Sequence, residues 1–259
     1  MRFELSTTIG GRARLAAPDL ERIALSGFTT IDVSLSPGAL VPGDQRTVQD
    51  FQHAASAAGL EIGGLSAAWS LAAAAMERAA DLGTTRLTLI ADACRAHGIE
   101  PGAAPHAAAL GRQLDAFALE ATGRGLALAV EFPRAMAPGT VVDLIDAIEG
   151  GPVSVCLDVG HAHLSGGAPE AIEWLSGYVA VTHLHDNHGR EDSHRAPYAG
   201  TVDWPLTLMA FWKTGFAGSG VIELTPDPDM AAALSRAVGA RTRLQAILDD
   251  LAQPMVFPE

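Results

Sequence analysis

Residues 155–167, "VCLDVGHAHLSGG", climb through an apolar run and then turn polar, with Asp158, His161 and His163 ahead of a glycine-rich exit. A carboxylate and imidazoles at the end of a buried strand are costly unless something binds them. Three further runs end in the same way: "LALAVEF" carries Glu131, "AVTHLHD" carries His183 and His185, and "GVIEL" carries Glu223. Strands point alternate side chains to opposite faces. Ala127, Ala129 and Glu131 therefore share one face, as do Ser154, Cys156 and Asp158, Val181, His183 and His185, and Val221 and Glu223. The bulkier faces are expected to meet the helices and the smaller ones the inside of a closed sheet. Glu131, Asp158, His183 and Glu223 are expected to converge there.

Taken singly, each residue has a plainer reading. A strand-end Glu is often a loop or cap residue, and an Asp after a strand often caps the next helix. The conjunction of parity and position on four runs argues for more. Three crowded carboxylates repel one another unless a cation neutralises them. Oxygen-rich donors with one imidazole suit a single Mn²⁺, Mg²⁺, Co²⁺ or Zn²⁺ rather than a thiolate-seeking metal. Around this set, Arg190 is a candidate to orient a substrate hydroxyl or phosphate, with a solvated loop arginine as the alternative. His163, His185 and His188 read as supporting or exposed residues, and Asp186 as a partner for a ligand histidine's second nitrogen. Trp69 is expected to pack under a loop rather than stack on a ligand. Lys213, the only lysine, falls in the helical run "LMAFWKTGF", which disfavours a Schiff-base mechanism.

The elements that must position these residues alternate along the whole chain. Strand-like runs are "RFEL", "TTIDVSL", "LEIGGLS", "RLTLIAD", "LALAVEF", "VSVCLD", "AVTHLHD" and "GVIEL". Amphipathic stretches such as "TVQDFQHAASAAG", "APHAAALGRQLDAFALEATGRG" and "TVVDLIDAIEG" lie between them, with glycine at the stops. The alanine-rich "LSAAWSLAAAAMERAADL" reads as one helix, and "DMAAALSRAVGARTRLQAILDDLAQ" as a last helix packed against the first. Asp203 and Trp204 are expected to open the helix after "AGTV", and the glycine pairs 10–11 and 166–167 to be loops. Eight strand–helix alternations predict a single (β/α)8 TIM barrel over residues 1–259. A doubly wound open sheet is the competitor, but no GxGxxG follows the first strand. Active sites of such barrels lie at the C-terminal ends of the strands, where the four candidate ligands fall.

Composition narrows the function classes. The 259 residues are 48% hydrophobic and 18% charged, with net charge −13. Such a chain is globular. Its acidity disfavours nucleic acid as a partner. Cys94 and Cys156 form no metal-knuckle spacing and suit a reduced, cytoplasmic setting. The opening "MRFELSTTIGGRA" shows no apolar signal segment, and no stretch long enough to span a membrane is read. The expected partner is a small molecule, with a homo-oligomer left open.

At this point the chain resembles the xylose isomerase-like TIM barrels, a family that includes sugar epimerases, inosose dehydratase-like proteins and endonuclease IV. The resemblance rests on "AVEFP", "LDVGHAH", "THLHDNHGREDSH", "AGTVDW" and "VIEL", in that order. It implies Glu131, Asp158, His183 and Glu223 as ligands of one divalent ion. It implies substrate contact for His161. In the endonuclease branch His161, Asp192 and His194 would instead belong to a further metal site, with His185 beside them as ligand or support. That branch also supplies histidines from its third and fourth strand ends, where this chain reads "GGLSAAW" and "LTLIADAC". The resemblance thus implies a metal-dependent isomerase or epimerase of a small sugar or polyol-derived ketone. Glu131 and Glu223 would exchange the proton through an enediolate, and a dehydratase would share that enolisation. The alternatives are a metal-dependent phosphoesterase like endonuclease IV and a non-catalytic sugar-binding barrel.

Overall fold

A computed structural model describes residues 1–10, 15–35, 45–91 and 104–253. Eight parallel strands close into a barrel in chain order: β1 (Arg2–Ser6), β2 (Thr30–Leu35), β3 (Glu61–Ala68), β4 (Arg86–Ile90), β5 (Ala127–Glu131), β6 (Val153–Asp158), β7 (Val179–Leu184) and β8 (Ser219–Ile222). The helices between them are α1 (Ala17–Leu25), α2 (Gln45–Ala57), α3 (Ala72–Leu82), α4 (Ala104–Gly123), α5 (Pro138–Asp146), α6 (Val159–Leu164), α7 (Ala168–Trp174) and α8 (Trp204–Lys213). After β8 comes α9 (Met230–Leu251). The fold is the expected (β/α)8 barrel, closed by pairing of β1 with β8. No helix among the described residues is long and apolar enough to cross a membrane.

Side-chain parity sorts the core into two parts. Leu128, Val130, Val155, Leu157, Leu184 and Ile222 face outward and join the large core under the helices. Ala129, Cys156, Val181 and Val221 form a separate small cluster inside the barrel. Each lies two residues before one of the four candidate ligands, so Glu131, Asp158, His183 and Glu223 continue the inward face at the strand ends. A register shift between Val155 and Cys156 makes this work. It sets Cys156 opposite Val181 and Asp158 opposite His183. Without it a one-residue slip would turn one of the two away from the interior.

Several expectations need correcting. The alanine-rich run is not one helix. Leu65, Ser66, Ala67 and Ala68 extend β3 by pairing with Leu87 to Ile90 of β4, and α3 begins only at Ala72. Barrel closure overrides the helical preference of alanine here. The segment between β6 and β7 holds two short helices that the periodicity does not reveal. Other expectations hold. Asp203 caps α8 by accepting from Leu206 N at 3.0 Å, Lys213 ends that helix, and Gly166–Gly167 form the joint between α6 and α7. The last helix reaches the turn after α1 through Arg241, which donates to Gly27 O and stacks 4.3 Å over the Phe28 ring. Gly11, Cys94 and residues 254–259 lie outside the described residues.

Candidate metal centre

The C-terminal mouth of the barrel is built around Asp158, which serves two purposes with two oxygens. Oδ1 accepts from the backbone N of His161 at 2.8 Å and so caps α6. Oδ2 lies 2.9 Å from Nε2 of the fully buried His185. The plain reading of this Asp as a helix cap holds, and the same carboxylate also meets the buried His185. The cap also orients the short helix so that His161 turns back over the mouth. Gly160 is required beneath it, because a Cβ at that position would run into the His185 ring.

His183 stands at the centre. Its Nδ1 lies 2.7 Å from Glu131 Oε2 and 3.4 Å from Glu223 Oε2. His161 Nδ1 lies 3.4 Å from Glu131 Oε1 and 3.8 Å from Asp158 Oδ2. Two overlapping sets, Asp158–His183–Glu223 and Glu131–Asp158–His161, each bring their donor atoms within 4.8 Å of one another. Glu131, Cys156 and His183 do the same one layer deeper. Glu131, Asp158 and His183 are buried and Glu223 is half-buried just past β8.

A second group sits above the first. His161, His185, Asp192 and His194 have donor atoms within 4.8 Å of one another. Asp192 Oδ2 is 2.9 Å from His161 Nε2 and 3.3 Å from His194 Nε2, and the His185 and His194 rings stack at 3.8 Å. His194 takes a left-handed backbone conformation (φ 39°), uncommon for a side chain with a Cβ. The bridge between Asp186 and Arg195 and the bond from Thr225 N to His194 O, 2.9 Å, hold it there.

Electrostatics follow from this crowding. Burial raises the Asp158 carboxyl, but His185, His161 and His183 outweigh it and hold the group far below its ordinary value. For Glu131 burial wins over His183, so its value is raised. Burial pulls His183 down, yet the neighbouring carboxylates Glu223 and Glu131 keep it well above the ordinary range. His161 is likewise pulled down by burial and pushed up to about 10 by Asp192, Asp158 and Glu131. Burial raises the Cys156 thiol to about 11, so it is neutral. Asp192 is held low by His161 and His194 against the effect of burial.

These residues fit a divalent ion. Among the described residues, the ion pairs of Glu131, Asp158 and Glu223 are with histidines alone, and no Arg or Lys balances them. His185 Nδ1 is buried without a hydrogen-bond partner. Three carboxylates, one imidazole and no fixed cation make a donor set for a hard or borderline metal.

One expected role is not met. Asp186 supports no ligand histidine. Its carboxylate accepts from the backbone N of Asn187, Tyr198 and Val202 and from Trp204 Nε1, and so organises the loop after β7. The fold of the loop delivers these four donors to the carboxylate and so leaves it no acceptor site to spare for an imidazole. Arg190 lies on that loop's exposed stretch, with no hydrogen bond or ion pair among the described residues. His163 meets Thr201 Oγ1 at 3.0 Å and His188 is exposed. Trp69 packs on Phe117 at 5.0 Å and donates to Gln113 at 2.8 Å, as a packing residue does. Sequence reasoning missed Cys156 as a neighbour of His183, although its parity with Asp158 carried the signal.

Comparison with known proteins agrees with the fold. A family model described as xylose isomerase-like TIM barrel matches residues 20–243. The uncharacterized protein y4fM of Sinorhizobium fredii is 35% identical over 65 residues, 25% of this chain and 21% of that protein. The uncharacterized protein MJ1311 of Methanocaldococcus jannaschii is 26% identical over 89 residues, 33% of this chain and 30% of that one. These matches thus span less than a third of either curated relative. A D-psicose 3-epimerase solved with D-tagatose, from Clostridium cellulolyticum H10, superposes with TM-score 0.76 at 13% identity over 96% of this chain and 99% of that one. An L-ribulose 3-epimerase superposes with TM-score 0.74 at 16% identity over 99% of both chains. A D-tagatose 3-epimerase-like protein gives 0.74 at 16% identity, covering 97% and 98%. With closed barrel, strand-end donors and family match in agreement, this chain belongs to the xylose isomerase-like TIM barrel family.

Proposed function

We propose that the chain is a divalent-metal-dependent epimerase or isomerase of a small sugar or polyol-derived ketone. One observation carries this reading: two carboxylates, Glu131 and Glu223, both approach His183, and neither has a Lys or Arg partner among the described residues. A divalent ion held by Glu131, Asp158, His183 and Glu223 would polarise the substrate carbonyl and so acidify the neighbouring C–H. In the proposed reaction one glutamate takes that proton as the C–H bond breaks; the C–H electron pair becomes the C=C of an enediolate and the carbonyl π pair moves onto its oxygen. The other glutamate returns a proton to the same carbon as the carbonyl re-forms, giving the epimer; return to the former carbonyl carbon, with the adjacent hydroxyl's proton passing to the former carbonyl oxygen, gives the isomer. Burial raises Glu131 above the ordinary carboxylate value, the direction that suits a group which must hold as well as release a proton. His161, protonated and anchored by Asp192, would donate to a substrate oxygen. The superposed proteins named as 3-epimerases of D-psicose and L-ribulose support the same reaction class.

The test is solvent-deuterium incorporation into D-tagatose, D-psicose, L-ribulose and inososes with added Mn²⁺ or Co²⁺. Metal-dependent exchange at a carbon next to the carbonyl is expected. Absence of exchange in every member, with metal demonstrably bound, overturns the reading. The second reading, a metal-dependent phosphoesterase, is favoured by the His161–His185–Asp192–His194 group. It requires about two or three ions per chain rather than one. Elemental analysis of the purified protein separates the two.

A further inference from the structure

A cleft of about 350 Å³ opens beside the candidate site, between the end of β6, the β5–α5 loop and α7. At its inner end it reaches Asp158 and His161. Its walls are apolar, formed chiefly by Phe132, Met136, Val141, Leu157, Trp174 and Leu175. The cleft exists because the helical layer between β6 and β7 is broken into two short helices joined at Gly166–Gly167. Trp174 stands at its rim with 69% of its surface exposed, although an indole of that size is normally covered. Beyond Asp158 and His161 at the inner end, Arg134, Ser165 and Glu170 supply polar groups among the lining residues, and these three are exposed.

A free sugar carries hydroxyls around its ring edge, and its small apolar C–H faces cover little of such walls. An apolar ring gains about 25 cal/mol for each Å² it withdraws from water. The volume sits at the small end of ligand pockets, enough for one ring-sized group rather than a lipid chain or a helix. We propose that the substrate is a sugar or polyol-derived ketone bearing an apolar, aromatic-sized substituent, with the polar part at the metal centre and the substituent in this cleft. The inference rests on the metal-dependent epimerase or isomerase reading and narrows its substrate class. Continuity of the cleft with Asp158 and His161 selects a substituent on the substrate over a separate effector. The exposed Arg134 and Glu170 suit a ring with a polar outer edge, such as a phenol.

The experiment compares phenyl with methyl β-D-ribo-hexopyranosid-3-ulose, two glycosides that carry the same ketone and differ only in the substituent, as probes of the Mn²⁺-loaded protein, by calorimetry. The phenyl glycoside should bind about tenfold tighter or better, as burial of one ring's apolar surface implies. Ala171→Trp, which fills the cleft from α7, should bring the ratio of affinities close to one, and Trp174→Ala should lower it. Retained Mn²⁺ binding shows that each variant is folded. Equal affinities, failure of both glycosides to bind, or a ratio unmoved by both substitutions overturns the proposal. So does a Trp174→Ala change in molar mass by light scattering with the ratio unmoved, because Trp174 would then be covered by a second copy. Deuterium exchange into free ketoses needs no cleft, so it judges the underlying epimerase reading independently.

Discussion

Two groups of buried charge share the interior of this barrel, and they are balanced in opposite ways. Toward the strand starts, Glu4 of β1 and Asp32 of β2 meet Arg86 of β4. Arg86 Nη1 donates to Glu4 Oε1 at 2.9 Å and Nη2 to Asp32 Oδ2 at 2.9 Å. Ser66 Oγ donates to Asp32 Oδ1 at 2.6 Å, and Arg2 reaches Glu4 from outside at 3.0 Å. Here the chain supplies its own cation. At the strand ends, Glu131, Asp158 and Glu223 have only histidines beside them. Arginine cannot leave and cannot deprotonate in a protein, whereas imidazoles exchange protons and bind metals. The first arrangement suits permanent support and the second suits a replaceable cation.

The largest effect expected from breaking this contrast is catalytic. Glu131→Gln and Glu223→Gln keep a carbonyl oxygen for coordination but cannot accept a proton. With a substrate in hand, exchange should fall by about 10²–10⁴-fold and stay low at saturating metal. Asp158→Asn should recover much of its loss when metal is added in excess, because its part is coordination and an Asn still caps α6. Near-full recovery of both glutamine variants at saturating metal would reduce the glutamates to ligands.

Next comes the lower group. Arg86→Met leaves Glu4 and Asp32 buried without their cation, and breaking such a group costs about 3–5 kcal/mol. Burial raises Glu4, but Arg86 outweighs it and holds the carboxyl low; for Asp32 burial wins even with Arg86 present. Urea unfolding should show the loss, and added Mn²⁺ should leave the gap between wild type and variant unchanged. For wild type itself, Mn²⁺ at about a hundred times its dissociation constant should add about 2.7 kcal/mol. A gap closed by Mn²⁺ would mean that the two groups are coupled rather than separate.

The two groups also differ in how well the sequence announces them. The upper one was legible because period-two alternation is a local rule, and "AVE", "CLD", "VTHL" and "VIE" each carry it through to the strand end. The lower one depends on closure. Arg86 opens β4 and Glu4 sits within β1, separated by 82 positions, and only the barrel makes them neighbours. An Arg at a strand start reads from sequence as a surface charge. The same limit explains Asp186, whose four loop donors at positions 187, 198, 202 and 204 are brought together only by the fold of that loop. It also explains β3, where alanines suited to a helix pair with β4 instead. Local pattern located the inward strand-end donors; long-range closure decided what supports them.

The last expected effect is in pH dependence, and it tests whether protons stand in for the metal. In the metal-free protein His161 is raised from 6.5 to about 10 by Asp192, Asp158 and Glu131, against the pull of burial. A raised value means that its stabilisation is complete below pH 6.5 and is lost as pH climbs through about 10. Glu131, raised by burial, acts in the same direction over a lower range. The sign is opposite at Glu4, which is held below 4.5 by Arg86. Its contribution is present above 4.5 and disappears as pH falls through the lowered value. Stability of the metal-free protein should therefore decline between pH 6.5 and about 10, and Asp192→Asn should flatten that slope by removing the nearest partner of His161. Metal and protons compete for the same imidazoles and carboxylates, so Mn²⁺ binding near neutrality should release protons. Urea midpoints across that range read the slope, and calorimetry in two buffers of different ionisation heat reads the release. Metal-free stability that rises over this range, or Mn²⁺ binding with no proton release, would show that the upper group does not use protons as its temporary cation.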